Sequence, residues 1–539
     1  MKKLFEDMKR IMLFLLALVS TGCIADWWSD GSGSSSSDED DSGTMIVLGE
    51  QLDNPYSVTN ITKALESLYP TKADRIDVTA TDIYVRFLPE DEAQMAYLQD
   101  TLDLDLVDYP LDYEIVTDGD YYHDPDIDED SITWQYAVVS QDFEFPQDIS
   151  YEILDDCYIP DDDSTRSDDD DIDWDAVERE AYSITGNGDM LDEETKGTKY
   201  YPAGRLTIID EDYCEGKPIG VSGVRMRCNT FVKVARDYTD QDGYYEMSKK
   251  FSAKPRYRIV YKNKKGFAIG FNKILVPAST SSLGKASPEG LDYEVTPEKG
   301  RKIFTRCTVN NAGWDYYTRC SDEDDLNIDT PPSKLRLWLF QNASTSAAMM
   351  LKHGAILDLD LLSSVLGDWA WILTVVKAFC PDITLGLEDY DSYGEIYSLA
   401  WHELAHASHF SQVGKDYWNK FIYYIVITYF SSDGDSYGDG SGSYAGYCEV
   451  GEMWAYFMQN WIYNDRYGGA WQNKGSSNWF HPQIFRYLNE RGVTVTQIFK
   501  ALTSDVTCRD ELQDELKAIC SDDEAICNYI DQIFEQYSE

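Results

Sequence analysis

The chain is poor in histidine, poor in positive charge and lacks a long apolar run. Only six of its 539 residues are histidine, so a site built on imidazoles has few places to be. Lysine and arginine number 46 against 97 acidic residues, a formal net charge of −51. So negative a surface repels phosphate backbones and anionic lipid, which argues against nucleic acid as a partner. The apolar run at residues 11–19 has nine residues, well short of the about 20 needed to span a bilayer as a helix. What is present is ample material for packed cores, with 43% hydrophobic and 14% aromatic residues. A chain of this length is expected to hold two to four domains.

The first residues have the pattern of a secretory leader: Lys2, Lys3, Lys9 and Arg10, diluted by Glu6 and Asp7, precede the apolar run. Ser20-Thr21-Gly22-Cys23 follows and resembles a bacterial lipobox, with Ser20 where leucine is more usual. The resemblance implies that Cys23 is lipidated and anchors the mature chain to a membrane. The ordinary alternative is a cleaved leader with a chance cysteine. Acidic residues close behind Cys23 are similar to the surface-export signal of Bacteroides-type lipoproteins, implying display at the outer membrane, on the cell surface. Eleven cysteines less Cys23 leave ten, an even number that fits an oxidising compartment. Cys307 and Cys320 are close enough in sequence to bridge a short loop.

Composition divides the chain into a leader (1–22), an acidic Ser/Gly tether (23–44), an α+β domain (45–155), an acidic linker (156–198), an all-β segment (199–275) and an α+β domain (276–539). The first domain reads as helices over 58–69 and 90–100 and strands over 83–87 and 134–139, with no identifiable chemistry. The linker carries Asp161-Asp162-Asp163 and Asp168-Asp169-Asp170-Asp171, read as solvated charge rather than calcium ligands, plus one helix over 174–182. Alternating runs at 205–209, 224–228 and 256–261, with a turn at Asp240-Gln241-Asp242-Gly243, make the third folded segment a strand meander. Its Ala-Gly-Arg-Leu-Thr, Gly-Val-Arg-Met and Thr-Asp-Gln-Asp-Gly-Tyr-Tyr strings resemble the carboxypeptidase regulatory-like (transthyretin/Ig-like) β-sandwich, usually a spacer or docking module. In the last domain a strand is expected over 335–340, helices over 347–352, 359–379, 397–410, 417–430 and 448–464, and an edge strand over 382–387. The last sixty residues read as mostly helical.

The chemistry lies in His402-Glu403-Leu404-Ala405-His406. Two imidazoles one helical turn apart project from one face and can share a metal ion, and the adjacent glutamate can reach a water on it. By composition such a pentad arises by chance in roughly a few of every thousand chains of this length. Catalytic zinc takes three protein ligands and a water, so a third ligand is required. His409 is on the same face but about 10 Å along the axis from His402. Position 412, where a metzincin carries its third histidine, is Gln412. Glu449 and Glu452 on the next helix are the better candidates. Glu452-Met453-Trp454-Ala455 following the pentad resembles the gluzincin clan (His-Glu-x-x-His … Glu-x-x-Ala). That resemblance implies a zincin-like fold, Zn2+ held by His402, His406 and Glu452, Glu403 as the proton-transferring base and Glu449 close behind the ligands. The Asn-Glu-x-x-x-Asp string of the thermolysin variant is missing. Tyr444 and Tyr447, just before that helix, are the expected oxyanion donors, with His481 as the alternative. The glycine-rich loop over 434–446 is a candidate cover for the cleft.

Three functions fit these residues. The first is a surface-anchored zinc metallopeptidase acting on extracellular polypeptide or glycoprotein. The second is a non-catalytic binding lipoprotein with a structural pentad, and the third a zinc hydrolase of a non-peptide bond. The intact Glu403 favours catalysis, because a structural site needs no base.

Overall fold

A computed structural model describes residues 44–537, apart from 72–75, 129–130, 161–171, 192–197, 271–277, 355–380 and 433–434. The leader, Cys23, the tether, both aspartate runs and the expected helix over 359–379 lie outside the described residues. The protein is multidomain and mixed α/β. No helix among the described residues is long and apolar enough to cross a membrane.

The first unit has β1 (Val47–Gln51), α1 (Val58–Leu68), β2 (Asp82–Leu88), α2 (Glu92–Ala96), β3 (Tyr113–Thr117), β4 (Gln135–Ser140), β5 (Ser150–Cys157) and α3 (Trp174–Ile184). Its three-stranded sheet runs β4-β2-β5, and β1 pairs β3 as a separate ribbon. Ser57 caps α1 by accepting from the Asn60 N–H, the interaction that makes serine a helix start. Acidic residues of this unit meet basic residues of the sheet behind it. Asp100 pairs Lys262 at 2.6 Å, Asp105 pairs Arg236 at 3.0 Å and Asp118 pairs Arg258 at 2.9 Å. An apolar cluster joining Tyr84, Val107 and Tyr109 to Phe231 and Val232 completes the junction.

The body begins with β6 (Ala203–Ile209), β7 (Pro218–Gly220), β8 (Val224–Thr230), β9 (Lys233–Tyr238), β10 (Tyr244–Glu246), β11 (Arg256–Asn263), β12 (Ala268–Ile269), β13 (Thr280–Lys285) and β14 (Tyr293–Val295). Then come α4 (Arg301–Cys320), β15 (Arg336–Phe340) and β16 (Ile383–Gly386). One sheet is ordered β10-β6-β14 with β7 on β6; the other runs β16-β15-β12-β11-β8-β9 with β13 on β11. This larger sheet carries strands from both sides of residue 275. β12, β15 and β16 run parallel. The remaining helices are α5 (Tyr393–Val413), α6 (Lys415–Ser431), α7 (Ala445–Tyr467), α8 (Gln483–Glu490), α9 (Val495–Ala501), α10 (Arg509–Ile519) and α11 (Glu524–Gln536).

Three expectations fail here. The helix expected over 347–352 is extended chain, and Ala347 makes an antiparallel bridge with Thr384. Ala347 N–H donates to Thr384 O and Thr384 N–H to Ala347 O, both at 2.9 Å, and Glu388 N–H donates to Ala343 O at 3.0 Å. The strand over 382–387 therefore has its outer side covered, and the outermost position belongs to residues 343–347. Helix propensity of Ala-Ala-Met-Met lost to unpaired main-chain groups on β16, which a strand-like neighbour satisfies. Cys307 and Cys320 lie on the single helix α4, about 20 Å apart along its axis, too far to bridge. Cys307 and Cys320 are both free thiols.

Candidate metal centre

The helix bearing the pentad starts and stops where its sequence dictates. Ser392 caps α5, accepting from the Glu395 N–H at 3.3 Å while its hydroxyl donates to the Glu395 carboxylate at 2.9 Å. Gly414, at φ +79°, ends it, a conformation that suits glycine. All of 396–410 is buried. The helix packs between α4 and α7, where Trp454 Nε1 donates to Ala405 O at 3.1 Å. The small Ala405 and Ala455, both fully buried, let α5 and α7 approach, which brings Glu452 up to the imidazoles.

His402 Nε2 is 3.6 Å and His406 Nε2 3.4 Å from the Glu452 carboxylate. One ligand atom from each of the three lies within 4.8 Å of the others. Donors on a tetrahedral zinc with bonds of about 2.0–2.2 Å are separated by about 3.3–3.6 Å. The residues therefore fit a metal ion, and both residue types are ordinary zinc ligands. Four buried atoms of these residues have no hydrogen-bond partner, Glu403 Oε2, Glu452 Oε2, His402 Nδ1 and His406 Nδ1, a costly state, and a cation would serve the two carboxylate oxygens.

Electrostatics point the same way. Burial pushes the Glu403 carboxyl up to about 8, with the His402 charge opposing and Glu452 reinforcing. At Glu452 burial also pushes up, but His406 and His402 hold the carboxyl down to about 2. At His402 burial pushes down, yet the nearby Glu452 carboxylate and the Glu403 charge leave it raised. Burial leaves His406 lowered. Burial thus favours the protonated form of Glu403 near neutral pH, while Glu452 stays a carboxylate.

The other expected residues are elsewhere. Tyr444 is the left-handed N-cap of α7 (φ +70°) and is 42% exposed, against Tyr423. Tyr447 packs against Tyr417 with the rings tilted, and its hydroxyl accepts from Lys420 at 2.9 Å. Five residues before Glu452, Tyr447 is about 140° round the helix from it, and Tyr444 is about 12 Å along the axis. Neither meets the triad. Glu449 is taken by Arg509, whose Nε donates at 2.6 Å, and does not stand behind a ligand. His481 packs on Tyr537. His409 is buried between Tyr417 and Trp418 and is held at about 3 by burial and by His406, so it is a neutral packing residue.

The groups that do face the centre include two tyrosines that sequence reasoning missed. Tyr456 lies about 40° from Glu452 on α7, its ring centroid 4.5 Å from that of His402. Tyr437, from the loop before α7, has its hydroxyl 3.3 Å from that of Tyr456. The i+4 spacing from Glu452 was a signal for Tyr456; nothing local marks Tyr437. Phe421 and Trp418 cover His406. Gly451 admits Phe421, since a Cβ there would meet its ring at 3.0 Å. Comparison with known protein families, curated proteins and solved structures finds no match to this chain.

Proposed function

We propose that this chain is a gluzincin-type zinc metallopeptidase, lipid-anchored through Cys23 at the outer membrane and facing extracellular polypeptide or glycoprotein. The observation that carries the reading is the convergence of His402, His406 and Glu452, with Glu403 close enough to feel the charges of His402 and Glu452. In this reading the helical part of residues 276–539 is zincin-like, and the carboxypeptidase regulatory-like docking module expected over residues 199–275 also takes in β13 and β14 from beyond residue 275. Support for the second comes from the paired sheets and from the Asp240–Gly243 turn, in which Asp240 accepts from the Asp242 and Tyr244 N–H groups.

The metal, when bound, supplies Lewis acidity that polarises a carbonyl and lowers the pKa of a water. The chain does the rest. To hold the metal, His402 and His406 would present unprotonated nitrogens, and Glu452 would add one negative charge. Glu403, made basic by burial, takes a proton from water and returns it to the departing amine. Tyr456 replaces Tyr444 and Tyr447 as the phenol able to donate to a developing oxyanion. An extended substrate would add its main chain outside residues 343–347.

The test is purified residues 24–539 with and without zinc. About one zinc per chain and cleavage of a generic protein are expected, with Glu403→Gln abolishing cleavage and keeping the metal. A folded chain that takes up no zinc removes the reading and favours the binding lipoprotein.

A further inference from the structure

The centre is shut. His402, Glu403, His406 and Glu452 are each 5% exposed or less, whereas a polypeptide must bring its carbonyl to all of them. Helices α5 and α7, which carry these residues, are locked by mutual packing. A covering group that reaches from solvent to the centre on a loop is Tyr437. Its residue is half-buried, and its hydroxyl is buried near Glu452 and Cys448 and bonded to that of Tyr456.

The segment holding Tyr437 has the marks of a low-stability element. After Tyr437 it carries Gly438, Gly440 and Gly442 at φ +57°, +76° and +115°, and it joins α7 through the left-handed Tyr444. It is pinned chiefly at Tyr437. The Tyr437 carbonyl accepts from Tyr424 Oη at 2.8 Å and from Trp479 Nε1 at 3.0 Å, and the ring packs on Phe480 at 5.3 Å. Segments held by few buried apolar contacts open at a small fraction of the global unfolding free energy. We propose that residues 435–444 are a gate over the metal centre, with Tyr437 as its plug, which swings out to admit an extended polypeptide.

The substrate named here rests on the peptidase reading; the gate itself does not, and it can be tested without metal. Cys448 is fully buried near Tyr437 and is the single cysteine of tryptic peptide 421–466. Cys307, fully buried in α4, reports global opening. In the wild type, alkylation of Cys448 by iodoacetamide should proceed at a rate nearly independent of low denaturant, while that of Cys307 rises steeply. Tyr437→Ala should speed Cys448 labelling, and stripping of zinc by excess EDTA, about tenfold or more, with Tyr437→Phe within about threefold of wild type. If Cys448 labels only in step with Cys307 in the wild type, the gate is wrong, whatever the Ala variant does. Gated labelling in a protein that binds no zinc would keep the gate and remove the metallopeptidase. Zinc binding and Glu403-dependent cleavage without gated labelling would do the reverse.

Discussion

Two buried carboxylates in this molecule each lie between two nitrogen bases, and their surroundings assign them different work. Glu178 on α3 meets Lys199 Nζ at 2.5 Å, Lys233 Nζ at 3.3 Å and the Tyr56 hydroxyl at 2.7 Å. Glu452 on α7 meets two imidazoles at 3.4 and 3.6 Å. Each is held down to about 2 against the upward push of burial, Glu178 by Lys233 and Lys199, Glu452 by His406 and His402. Ammonium groups carry permanent charge near neutral pH, so the first cluster is electrically complete and needs nothing further. Imidazoles, unlike ammonium groups, can give up their protons near neutral pH and free their ring nitrogens for a metal ion, which would leave the Glu452 charge uncancelled. The first is a rivet between the N-terminal unit and β9; the second is a place for a cation.

The comparison breaks most visibly if the second cluster is a rivet too. Removing Glu403 as Glu403→Gln should lower the rate of protein cleavage by about 10²–10⁴-fold, the usual range for a general base, with zinc content unchanged by atomic absorption. A structural site would show no such loss. Next in size, Lys233→Ala should destabilise the protein by about 3–5 kcal/mol in urea unfolding, because Glu178 is then buried without one of its cations. Cleavage per folded molecule should hardly change. Equal effects of the two substitutions on both readouts would erase the distinction.

Zinc sharpens the contrast further. At a concentration about 100 times its Kd it should stabilise the wild type by about 2.7 kcal/mol, seen as a rise in Tm, and should leave Glu452→Ala unmoved. A similar gain in Glu452→Ala would place the metal at some other set of ligands.

The sequence displayed the chemistry better than the surroundings of the chemistry. His402, Glu403 and His406 were legible because a helix fixes neighbours four residues apart. Glu452 was legible because a small residue one turn on, Ala455, marks close helix packing. Tyr444 and Tyr447 misled because nearness in sequence to Glu452 is not nearness in space: the helical angle carries Tyr447 away, and Tyr456 sits on the right face. Tyr437 was invisible, since its place depends on where a glycine-rich loop folds back. The strands of the all-β segment followed their alternation. The chain outside β16 did not, because Ala-Ala-Met-Met takes its conformation from the main-chain groups of Thr384 rather than from its own preference. Glu178, Lys199 and Lys233, more than twenty residues apart, bear no local pattern that would announce a cluster.

The smallest expected effect is in the pH dependence of the metal-free protein, and it belongs to the rivet. The Glu178 carboxyl has an ordinary value near 4.5 and about 2 in the fold. A group depressed on folding stabilises fully above its unfolded value, and the contribution fades as pH falls through the folded one. Stability from Glu178 should therefore be complete above pH about 4.5 and drain away toward pH about 2. In Lys233→Met the main lowering charge is gone and Lys199 and the Tyr56 hydroxyl remain, so unfolding free energies from urea titrations between pH 5 and 3 should fall less steeply than in wild type, by roughly a few tenths of a kcal/mol per pH unit. Identical slopes in the two proteins would mean that Lys233 does not hold the Glu178 carboxylate ionised. The contrast with the imidazole-flanked Glu452 would then rest on geometry alone.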